Sequence, residues 1–70
     1  MATLKWADAD EIGFELSEKY PDIDPLSMRF VDLHRYVTEL AGFGDSPGGS
    51  TESALENIQM AWLGYYKENQ

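Results

Sequence analysis

The chain is predicted to be all-α. Apolar residues recur at three- and four-residue spacing in three separate stretches, no stretch alternates with period two for more than a few residues, and proline- or glycine-bearing turns separate the stretches. With 70 residues and no internal repeat, the chain reads as one domain over residues 1–70. At that length only roughly 60% of the surface of the unfolded chain becomes buried, so the core is thin. A hydrophobic fraction of 43%, with Trp6, Trp62, Phe30, Phe43 and four tyrosines, is nonetheless enough to close it.

Leu4 to Trp6 form a short lead-in. Asp8 then stands as an N-cap with Glu11 three residues on, a capping-box pattern with Asp in place of Ser or Thr, and opens a helix over residues 8–20. Ile12, Leu16 and Tyr20, with Ala9, give this helix an apolar stripe. Asp8, Glu11, Glu15 and Glu18, spaced three, four and three apart, give it an anionic stripe on a different face. Like charges at such spacings cost a helix ~0.2–0.5 kcal/mol per pair, so helix stability does not explain the arrangement. A cationic partner would explain it; a merely solvated face is the alternative.

Pro21 stops the helix, and in Asp22-Ile23-Asp24-Pro25 the Asp24 side chain is placed to cap a short helix over residues 25–29, with Pro25 at its first position. Phe30, Leu33, Val37 and Leu40 form the core stripe of a helix over residues 31–41, and Asp32, Arg35 and Glu39 are spaced to pair on another side. Gly42 and Gly44 end it. Residues 45–49, Asp-Ser-Pro-Gly-Gly, read as the loosest interior stretch. Ser50 or Thr51 caps a last helix running to about residue 67, with Leu55, Ile58, Trp62 and Tyr65 as its stripe and Ala54 and Ala61 alongside. Three main helices and one short one have the outline of a small winged-helix-like or helix-turn-helix-like bundle.

That outline suggests nucleic acid, but the charge argues against it. Thirteen acidic and five basic residues give a formal charge of −8, which repels phosphate polymers and anionic membranes and attracts basic protein surfaces or cations. Like charge also favours a monomer. The absence of cysteine removes disulfides, thiolate metal sites and cysteine nucleophiles, and suits a reducing cytoplasm. The N-terminus lacks a signal-peptide pattern and no apolar run is long enough to cross a bilayer, so the chain reads as soluble.

Catalysis is not expected, because His34 is the only histidine and nothing supplies a nucleophile with its base. His34, Trp6 and Trp62 read as structural. Asp8, Glu11, Glu15, Glu18, Asp22 and Asp24 supply hard oxygen donors without an evident cage, so a metal held by Asp8, Glu11, Glu15 and Asp22 would be weak and exchangeable, with Fe(II) suiting it better than structural zinc; a solvated acid patch with no specific metal is an equal alternative.

Leu4-Lys5-Trp6, Asp8, Glu11-Ile12-Gly13, Tyr20-Pro21-Asp22-Ile23-Asp24-Pro25, Arg29-Phe30, Asp32-Leu33-His34, Phe43, Pro47 and Trp62-Leu63, in this order and at these separations, resemble the IscX (YfhJ) family of iron-sulfur cluster assembly over essentially the whole chain. The resemblance implies a winged-helix-like, non-catalytic adaptor. Such a protein binds the cysteine desulfurase of the pathway at a basic region shared with frataxin, binds Fe(II) weakly through surface carboxylates, and competes with frataxin and ferredoxin. By motif it places Asp8, Glu11, Asp22, Asp24 and Asp32 at the partner surface, while Glu15 and Glu18 rest on the stripe. Family members have several acids around the loop phenylalanine and proline, where this chain has Ala41, Gly42, Gly44 and Ser46 with Asp45 alone, which turns the metal expectation toward the first helix. The alternative function is an iron chaperone that delivers Fe(II) to the assembly scaffold.

Overall fold

The computed structural model describes residues 3–68. Among them three α-helices, α1 (Ala9–Lys19), α2 (Phe30–Thr38) and α3 (Glu52–Glu68), are joined through short 3-10 turns at Pro25–Ser27 and Pro47–Gly49. The all-α expectation holds. An isolated parallel bridge between Leu4 and Phe43 is the only β-type pairing among these residues.

Each helix buries the stripe that its spacing sets. Ile12 and Leu16 of α1, Leu33 and Val37 of α2, and Ile58 and Trp62 of α3 lose all solvent contact and meet in one core, which Leu4, Trp6, Leu40 and Leu55 close. Burying side chains of this size stabilises the fold by about 1.5–3 kcal/mol each before conformational entropy is charged against it. Trp62 is the centre. Its ring lies among those of Tyr20 and Tyr36, at 6.4 and 6.1 Å between centroids, and its indole N–H finds no acceptor among the described residues.

Gly13 decides how closely α1 and α3 approach. A Cβ placed there would lie 2.7 Å from both the Ala61 Cβ and the Trp62 backbone nitrogen. The two helix backbones therefore meet where α1 has no side chain.

Several local expectations need correction. Asp8 occupies the N-cap position of α1 but makes no capping bond; its carboxylate turns back to accept the Lys5 backbone N–H at 2.9 Å, so the expected capping box does not form. The 25–29 helix is a single 3-10 turn, capped as anticipated by Asp24, whose Oδ1 accepts the Leu26 N–H at 2.9 Å. The second main helix ends at Thr38 rather than at residue 41, and the chain turns on through Leu40 N–H to Val37 O and Phe43 N–H to Leu40 O. In the last helix the core is reached by Leu63 and, in part, by Tyr66; Tyr65 lies outward against Phe14. The 3.6-residue turn drifts away from a strict three-four-three repeat, which displaces the last member of the stripe.

The stretch expected to be loosest is tied to the rest of the molecule. Leu4 N–H donates to Gly42 O and Gly44 N–H to Leu4 O, at 2.8 and 2.9 Å. Trp6 donates its backbone N–H to Asp45 Oδ2 at 3.2 Å and its indole N–H to Ser46 O at 2.7 Å. His34, half-buried and stacked on Trp6 at 5.3 Å, donates Nε2–H to Pro47 O at 2.6 Å. The carbonyl can only accept, so the ring proton of that contact sits on Nε2. His34 is thus a structural imidazole pinning the loop to α2.

Candidate functional site: the outer face of the first helix

The 3.6-residue period that sends Ile12 and Leu16 inward turns Glu11, Glu15 and Glu18 outward, and all three are exposed. None makes a hydrogen bond or an ion pair among the described residues, where the ion pair formed is Arg29 to Asp32 at 3.8 Å. Lys19, the basic residue of the same helix, lines a groove with Glu11 and Glu15 but forms no ion pair with them among the described residues, and its ammonium lies 5.6 Å over the Tyr20 ring. Three carboxylates therefore project from one face without an ion-pair partner among the described residues. Glu11 and Glu15 border that groove, of about 320 Å³, together with Leu4, Lys19, Leu40 and Ala41.

The other site residues expected from sequence are placed differently. Asp8 is half-buried and already accepts a backbone N–H, so it contributes charge but less freely than its neighbours. Asp22 is exposed in the turn after α1. Asp24 is committed to its cap. Asp32 pairs with Arg29 rather than with Arg35, and with Arg35 and Glu39 it borders a separate groove of about 500 Å³ that includes Met28 and Tyr36. The expected acids thus divide into the outward-facing row Glu11, Glu15 and Glu18, and a dispersed remainder.

For iron the decisive quantity is convergence. No three histidine, aspartate or glutamate side chains among the described residues come close enough together to hold a metal ion. Asp8, Glu11, Glu15 and Asp22 are strung along the helix and its following turn rather than gathered, and Fe(II) favours several oxygen or nitrogen donors at once. The residues do not fit a closed iron site.

Two features of this face have no counterpart in the stripe. Phe14 stands among the acids with 44% of its surface exposed, and its ring meets that of Tyr65 edge-on at 5.4 Å. The Tyr65 hydroxyl donates to the Asp10 carboxylate, 3.1 and 3.2 Å from its two oxygens, and that hydrogen bond raises the tyrosine pKa above its ordinary value. Sequence offered one signal: Asp10, Phe14 and Glu18 follow one another at four-residue spacing on the solvent side. At the loop, Asp45 is held below the usual carboxylate range, first by the Ser46 N–H and then by that of Trp6.

The family model described as iron-sulphur cluster assembly matches residues 4–67. An uncharacterized protein of Pseudomonas aeruginosa is 49% identical over 61 residues, covering 87% of this chain and 92% of that relative.

Proposed function

The chain belongs to the iron-sulphur cluster assembly family, and on that premise we propose that it is a small acidic adaptor that modulates cluster assembly by binding the cysteine desulfurase through the outer face of α1. One observation carries the reading. Glu11, Glu15 and Glu18 are exposed in a row, and none forms an ion pair among the described residues. A fold that keeps like charges in register, at a small cost to its own helix, retains long-range attraction for a basic surface. Charge of this kind acts mainly on the rate of encounter and on partner choice, and weakens with salt.

Asp8 and Asp22 extend the negative field at either end of the row, while Asp24 and Asp32 lie farther along the chain and are partly spent on internal contacts. Fe(II) enters this reading as a weak, exchangeable counter-cation that masks the charge the partner meets. Delivery of iron to a scaffold needs a carrier that retains its ion, and dispersed single carboxylates hold Fe(II) poorly, so the donor geometry favours the adaptor over the carrier. The adaptor acts as a monomer in the cytoplasm, in competition with other acidic partners of the desulfurase such as frataxin and ferredoxin. No helix among the described residues is long and apolar enough to cross a membrane.

The test is a titration of purified desulfurase with the protein and with a Glu11→Gln/Glu15→Gln/Glu18→Gln variant. The reading expects the variant to bind at least about tenfold more weakly in low salt, with the gap closing as salt rises. Equal affinity for both proteins at low salt, with circular dichroism showing both folded, overturns it.

A further inference from the structure

Beside the acidic row, α1 and α3 enclose a groove of about 320 Å³ lined by Asp10, Met60, Ala61, Gly64, Tyr65 and Glu68. Met60 is 56% exposed, and Phe14 at 44% stands next to the groove against the Tyr65 ring. Carboxylates of Asp10 and Glu68 are among the lining groups, and no Lys or Arg among the described residues lines the groove. Gly64 leaves it open, because a Cβ built there meets no atom within 4 Å. An aromatic and thioether surface rimmed by acids has the anatomy of a contact centre, an apolar anchor surrounded by polar groups.

We infer that this groove receives an arginine-bearing segment of the basic protein partner, with the aliphatic stem lying along Met60 and Gly64 and the guanidinium meeting Asp10 and Glu68 beside the Phe14 and Tyr65 rings. Charge complementarity selects that occupant. A second copy of a chain with formal charge −8 would bring more carboxylates to the same rim, and a purely apolar segment would leave both acids unanswered. Arginine combines an apolar stem with a planar cation that stacks on aromatic faces and pairs with carboxylates. The Tyr65 hydroxyl engages Asp10 on one side and fixes where that carboxylate sits. The inference rests on the desulfurase reading above and extends it from long-range attraction to a seated contact.

The two ideas separate experimentally because the groove can be altered without touching charge. Gly64→Gln occupies it from an exposed helical position where an added Cβ meets no atom within 4 Å, and Phe14→Gln removes the exposed ring. Affinity for purified desulfurase is measured for both variants, for the stripe variant and for the parent protein at low and high salt, with thermal melts to confirm folding. The inference expects each charge-neutral substitution to weaken binding about tenfold at both salt concentrations, whereas the stripe effect fades as salt rises. It also expects the Gly64 amide and Ala61 methyl resonances to shift on adding desulfurase. Normal affinity for Gly64→Gln and Phe14→Gln beside a weakened stripe variant overturns the groove and leaves the stripe reading standing. No binding by the parent protein overturns both. Self-association in high salt that Gly64→Gln abolishes assigns the groove to a second copy and overturns the partner inferred here.

Discussion

Replacing Gly13 by alanine tests whether the helices are held as described, and Gly64 supplies its control. An alanine at 13 would place Cβ 2.7 Å from the Ala61 Cβ and the Trp62 nitrogen and 2.9 Å from the Ala61 carbonyl carbon. Carbon atoms in contact normally sit ~3.5–4.0 Å apart, so the overlap is about 1 Å and two of the three obstructing atoms are backbone. Backbone inside a helix does not step aside as a side-chain tip does. The remedy is to separate α1 from α3 by a comparable distance, loosening the packing around Ile12, Leu16 and Trp62, which are wholly buried. Overpacking of this sort costs ~1–3 kcal/mol, and backbone obstruction puts this site at or above the upper end. The gain in helix propensity on replacing glycine, about 1 kcal/mol, offsets only part, leaving a net loss of about 2 kcal/mol. For a domain of this size that lowers Tm by roughly 8–16 °C. At Gly64, where nothing lies within 4 Å, the propensity gain is unopposed and Gly64→Ala raises Tm by a few degrees. Thermal and urea unfolding followed by circular dichroism reads both. A Gly13→Ala protein melting at or above the parent, or the two alanines shifting Tm in the same direction, refutes the close approach.

Other expectations address charge and the loop. Glu18→Gln relieves repulsion from Glu15 and removes an anion from the last turn of α1, so it stabilises the fold by roughly 0.5–1 kcal/mol in urea titrations while weakening attraction to a basic partner. Asp45 has a folded pKa depressed by the Ser46 and Trp6 N–H groups. Its contribution is present above the unfolded carboxylate pKa and is lost as pH falls through the lower folded value, so Trp6 fluorescence should change below about pH 4 and Asp45→Asn should flatten that change. Tyr65 ionises above its ordinary pKa because it donates to Asp10; Asp10→Asn should bring one tyrosine's alkaline absorbance transition to lower pH. Anaerobic Fe(II) titration should give weak association that Glu11→Gln/Glu15→Gln/Glu18→Gln diminishes, and tight saturable binding unaffected by that variant would contradict the exchangeable counter-cation.

How much was legible in advance follows from where periodicity governs. Ile12, Leu16, Leu33, Val37, Ile58 and Trp62 were readable as core because burial in a helix obeys one repeat, and the outward row of Glu11, Glu15 and Glu18 is the complement of that repeat. Asp24 was readable as a cap because proline follows it. Asp8 has the residue type of an N-cap, but an aspartate before a helix can turn to either side, and here it accepts the Lys5 N–H. The loop was misjudged for a related reason: glycine and proline announce a turn, but not that Trp6, some 40 residues earlier, will bond Asp45 and Ser46. Tyr65 shows the limit of spacing alone. Its position in the stripe suggested core, yet the groove with Asp10 and the contact with Phe14 depend on how α1 lies across α3.

The proposed function stands on contact between the carboxylate row of α1 and a basic surface of the desulfurase. Its most direct measurement is resonance mapping of the protein on addition of that enzyme at low salt, repeated at high salt. Perturbations centred on Glu11, Glu15 and Glu18 that recede as salt rises are expected. Perturbations centred on α2 around Asp32 and Arg35, or shifts indifferent to salt, would contradict it.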